Sequence, residues 1–133
     1  MKKQIESNTY FWFGIFALCF ILFQIISYRI RPGYKGDSEI VKYFLGVAPN
    51  FFPAIGIPAL IYAILEVNMS KNSEFIYKNA FLISIWFGVT GLIIWEFLQI
   101  FSKKLSFDWH DILWTIAGGI IYWRIGLKFK SRE

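Results

Sequence analysis

Carboxylates set in apolar sequence are the residues of this chain best placed to do chemistry. Glu96 lies in the run WEFLQIF, with Gln99 three residues on and Lys103 four beyond that. At 100° per residue, Ile85, Val89, Leu92, Glu96, Gln99 and Lys103 share one stripe of a helix. A second stripe follows the basic turn, with Asp108, Asp111, Thr115, Gly118 and Tyr122. The short connection makes the two helices antiparallel neighbours, so Glu96 and Gln99 should face Asp111 and Thr115. Three kinds of chemistry suit such a constellation. A carboxyl group in apolar surroundings is tuned for general-base work. It can accept hydrogen bonds from a polar ligand. It can also hold two helices together through a structural hydrogen bond, worth ~0.6 kcal/mol on average in membranes.

Those residues must be positioned by helices that cross a bilayer. The 133 residues are 56% hydrophobic and 21% aromatic, with a mean hydropathy of +0.49. A spanning helix needs ~20 largely apolar residues to cross ~30 Å of hydrocarbon. Four blocks approach that length, at about 10–28, 49–67, 79–101 and 111–127. The fold class is therefore all-α, a polytopic membrane bundle of about four transmembrane helices in a single domain, 1–133. Lys2 and Lys3 precede the first block, but no small-residue cleavage site interrupts it, so it reads as a retained helix.

The connecting segments are short and have distinct characters. Pro32 and Gly33 should stop the first helix. Tyr34 to Gly46 is too polar to span and suits a short interfacial helix, with Ile40, Val41, Phe44 and Leu45 as its apolar face. Pro49, Pro53 and Pro58 should make the first half of the second span irregular, because each removes a backbone donor. Such backbone is tolerated in a membrane only when protein or water covers it. Gly88 and Gly91 offer close helix contact on the third span.

Charge fits the same picture. The net charge is +5, and the basic residues sit at the termini and in loops rather than along a helix face, which argues against nucleic acid. With four spans, Lys2, Lys3, Lys71, Lys78, Arg124, Lys128, Lys130 and Arg132 share one side. Arg29, Arg31, Lys35, Lys42, Lys103 and Lys104 share the other. These eight and six account for all 14, and the bias favours cytoplasmic termini.

Alternative readings of single residues are plain ones. Asp108 suits an N-cap with Asp111 at the third helical position. His110 beside two aspartates does not make a metal site, because adjacent residues at a helix start point apart. No Ser-His-Asp set, thiolate pair or phosphate loop is present. Neither a metal nor a cofactor is expected, and Cys19 has no partner for an internal disulfide.

The run WEFLQIFSKKLSFDWHDILWTIAGG resembles the VanZ-like family of small bacterial membrane proteins. That family shows Glu-x-x-Gln near the end of one span, a basic turn, an Asp opening the next span and small residues one or two turns later. Glu96, Gln99, Lys103 or Lys104, Asp111, Thr115 and Gly118 fill those places. The upstream GVAPNFFPAIGIP is similar to a segment of some members, and Asp37 matches an Asp after the first span. Many members carry an arginine in the turn and an asparagine where Thr115 stands, and a His-containing motif after the first span is missing. The resemblance implies a bacterial cell-membrane location, a polar site and a link to glycopeptide tolerance, but no defined reaction. Three functions remain open at this point. The chain could bind a lipid headgroup or lipid-linked envelope component, act as a small membrane enzyme using Glu96 or Asp111, or serve as a structural subunit of a complex. An enzyme would need Lys103, Lys104, Arg29 or Arg31 to stabilise charge. A subunit would expose small residues such as Gly14, Ala17 and Gly88.

Overall fold

A computed structural model describes residues 2–69, 74–102 and 106–130. Four long helices account for most of them: α1 (Lys2–Ile25), α3 (Glu39–Met69), α4 (Glu74–Gln99) and α5 (Trp109–Lys130). Among the described residues there is no strand. Three segments are long and apolar enough to cross a membrane: Asn8–Gly33, Glu39–Asn68 and Lys78–Gln99. The 22 residues of α5 would reach ~33 Å. Arg124 and Lys128 make it the most polar of the four.

The packing is that of a membrane bundle rather than a water-soluble one. Small residues of α3 and α4 lie at the centre, with Ala54, Ala59 and Ala63 wholly buried and Ala80 nearly so, around the buried rings of Trp12 and Tyr122. Large ones face outward, among them Leu18, Phe20, Trp86, Phe87, Ile94 and Ile120. Lipid tails are as apolar as leucine, so helices associate in a bilayer by close packing rather than by hiding large side chains. The central element is α3, against which α1, α4 and α5 all pack.

Two expectations about α3 need correction. The interfacial helix expected at 34–46 is not a separate element, because α3 begins at Glu39 and runs unbroken for 31 residues. Its three prolines lie inside a continuous helix rather than in irregular backbone. The reason is how closely the neighbours cover them. Pro58 is buried, and a Cβ on Gly88 of α4 would meet its ring at 2.5 Å. On α5, a Cβ at Gly118 would meet the Phe51 carbonyl oxygen at 2.6 Å. Neighbouring helices thus pack directly on the proline-bearing stretch of α3 and keep lipid off its backbone. Gly88 serves this internal contact, whereas a Cβ on Gly91 would meet nothing within 4 Å, so only one of the two glycines makes the close approach expected of both. Gly88 therefore offers no exposed small-residue surface.

The first span is longer than expected. After Ile25 the chain widens into one π-helical turn, Ile26–Ile30, where the Arg31 N–H reaches the Ile26 carbonyl. A last turn, α2 (Arg31–Gly33), ends at the Pro-Gly pair. Pro32 would crowd the carbonyl four residues back in a regular helix, and the wider turn gives it room.

Phe11 of α1 stacks on Phe129 of α5 with ring centroids 4.5 Å apart, so the two ends of the described chain meet at one end of the bundle. The α1–α3 connection and the 99–109 connection lie at the other.

Candidate functional site

At that second end, five elements and a loop line a cavity of about 450 Å³, with Phe23 as the contribution of α1. Gly46, Pro49 and Asn50 recur at helical spacing and so present one face of α3. Trp95, Glu96 and Gln99 come from α4, Asp111 from the first turn of α5, Arg31 from α2, and Ser106 from the connecting loop. The carboxyl group of Glu96 is almost wholly enclosed, with the residue 2% exposed. Gln99 lies close enough to act on it, as the one-turn spacing suggests, yet Oε2 has no hydrogen-bond partner. An enclosed acceptor without a donor is costly, and it belongs to a side chain on the cavity wall.

Asp111 lies near enough to Glu96 to act on it electrostatically, and the Asn50 carboxamide of α3 lies close to Asp111 in turn. Arg31 adds a positive charge beside Asp111. The cavity therefore offers two carboxylates, two carboxamides and one guanidinium.

The sequence-predicted residues divide accordingly. Glu96, Gln99 and Asp111 line the cavity together. Thr115 is wholly buried one turn further along α5, its Oγ1 without a partner, and does not line the cavity. Asp108 is exposed and caps α5. Its Oδ1 accepts the His110 backbone N–H at 2.9 Å and lies 2.9 Å from Nδ1 of the same ring. These bonds hold its carboxyl below the usual carboxylate range, the backbone N–H contributing most. Lys103 and Lys104 lie outside the described residues. Among the described residues no group of three or more His, Cys, Asp or Glu could hold a metal ion.

Asn50 and Arg31 are polar cavity residues that the stripes on α4 and α5 do not contain. Asn50 carries a readable signal, a carboxamide between Pro49 and two phenylalanines in a spanning segment. Arg31 is readable as a cation after the first span, but its place on the cavity wall depends on the π-helical turn.

The opposite end holds more polar chemistry than its sequence suggests. Glu66 is 4% exposed and accepts hydrogen bonds from the Thr9 and Tyr62 hydroxyls, each at 3.3 Å. Ser84 and Tyr122 share a buried hydroxyl pair at 2.7 Å. Tyr122, expected on the polar stripe of α5, thus points toward α4 and not toward Asp111.

No protein-family model, curated protein or solved structure matches the chain.

Proposed function

We propose that the chain is a VanZ-like protein of the bacterial cell membrane whose polar cavity binds a lipid headgroup or a lipid-linked envelope component. The observation that carries this reading is the unpartnered Oε2 of an enclosed Glu96 on the wall of a cavity that also holds Asp111, Asn50 and Arg31. A carboxylate serving only to join helices would have its partner within the bundle, as Glu66 does with Thr9 and Tyr62. The spacing of Glu96, Gln99, Asp111 and Gly118 along the chain supports the family reading, and with it a role in glycopeptide tolerance. Four spans with both termini cytoplasmic place the cavity at the exterior face, in keeping with the eight-to-six basic bias.

A structure determined in a bilayer with endogenous lipid retained tests the reading. Headgroup density in contact with Glu96 and Asp111 is expected. A cavity filled by water alone, or closed by direct pairing of Glu96 with a protein group, would contradict it.

A further inference from the structure

The polar cavity does not end at its own walls. Phe23, Pro49, Asn50 and Trp95 line it on one side and on the other line an apolar groove of about 470 Å³. The groove lies between α1 and α4, whose backbones do not approach each other among the described residues. Pro53, Gly56 and Ile57 of α3 form its floor, and Cys19 and Leu92 stand on opposite walls. Phe20 and Trp95, 48% and 56% exposed, belong to both the groove and the outer surface, so the groove opens sideways into the bilayer.

A polar chamber at the membrane face joined to an apolar slot within the membrane has the shape of one lipid molecule. The charges define its head. Glu96 Oε2 needs a hydrogen-bond donor, and the Asp111 carboxyl lines the same cavity. Arg31, beside Asp111, offers a guanidinium fork suited to phosphate. An ammonium between the carboxylates and a phosphate on Arg31 satisfies both.

We infer that the site takes a phospholipid whose headgroup carries a primary amine, with the head in the Glu96–Asp111 cavity and one hydrocarbon chain in the α1–α4 groove. This rests on the headgroup reading above and adds the chemistry of the head and the lateral berth of the chain. A chain gains little by leaving lipid for an apolar slot, so the groove sets fit and orientation, and the polar contacts supply the preference.

The test is native mass spectrometry of the purified full chain titrated with dioleoyl lipids of ethanolamine, choline or glycerol headgroup. The ethanolamine lipid should bind about tenfold more tightly than the choline lipid, which has no N–H to give Oε2. Glu96→Gln should weaken it by about tenfold. Leu92→Trp, which fills the groove and leaves the polar cavity intact, should weaken it to a similar degree. Ile57→Phe replaces that variant if its melting temperature falls. Loss with Glu96→Gln but not with either groove variant would overturn the berth and leave the cavity reading standing. No loss with Glu96→Gln would overturn both. Equal binding of the three headgroups would overturn the amine.

Discussion

Gly118 of α5 faces Phe51 of α3 so closely that a Cβ would lie 2.6 Å from the Phe51 carbonyl oxygen and 2.7 Å from the Ala54 Cβ. This contact fixes how α5 lies along the proline-rich half of α3. Because Asn50 precedes Phe51 and Asp111 lies two turns before Gly118, the same approach holds Asp111 against Asn50. The site is therefore built by close backbone packing some distance from its charged groups.

Gly118→Leu should then destabilise the bundle through overpacking. The expected loss is about 1–3 kcal/mol, read as a lower melting temperature in detergent. Gly91→Leu is the control, because a Cβ there meets nothing within 4 Å. It should leave the melting temperature nearly unchanged.

A second contact sets the phase of α4 against α5. A Cβ at Gly119 would lie 3.9 Å from the Cβ of Val89, within the range that a disulfide bridges. With Cys19 replaced by alanine, the pair Val89→Cys and Gly119→Cys should crosslink readily in membranes under mild oxidation. The pair Ile94→Cys and Gly119→Cys should not, since Ile94 is 57% exposed on the outer face. Equal crosslinking of both pairs would mean that the helix phase is wrong.

The cap on α5 does not line the cavity. Asp108→Ala removes the side-chain acceptor of the His110 N–H and should cost about 1 kcal/mol, with Asp108→Asn recovering most of it. The native carboxyl is held below its ordinary range. Its ionised form is therefore the one the fold favours, and its contribution is present above the ordinary carboxylate pKa. That contribution is lost as the pH falls through the depressed value. The stability gap between native and Asp108→Asn protein should shift against the native chain on acidification and stay constant from neutral pH upward.

Much of the architecture is legible in the sequence, for physical reasons. Apolar blocks of bilayer length locate the helices, and one-turn spacing puts Gln99 beside Glu96 on α4. Local rules fail where neighbours override them. Proline chemistry alone predicts broken backbone near Pro49 and Pro53, yet the helix continues through both, with Gly118 of α5 packed closely on the stretch between Pro49 and Pro58. The short connection brings Asp111 to the cavity that Glu96 and Gln99 line. The nearness of Asn50 on α3 depends on how α3 packs against α5, which no local pattern on α5 announces. Arg31 depends on a π-helical turn that no hydrophobic pattern encodes. Glu66 is visible as a charge, but its enclosure by Thr9 and Tyr62 joins residues 57 and four positions away, and only the former is long-range.

The central claim is that the Glu96 carboxylate works on a ligand and does not merely join helices. The direct measurement compares Glu96→Gln, Glu96→Ala and Glu96→Leu for abundance, melting temperature and complementation of a deletion strain's sensitivity to envelope-targeting antibiotics. The Gln variant keeps the shape and most of the hydrogen bonding, and loses a buried charge whose burial is itself costly. It should therefore insert and melt like the native protein, or slightly better, and still fail to complement. Full complementation by Glu96→Gln at normal abundance, with function following stability across the three variants, would contradict the account and leave a structural subunit as the better description.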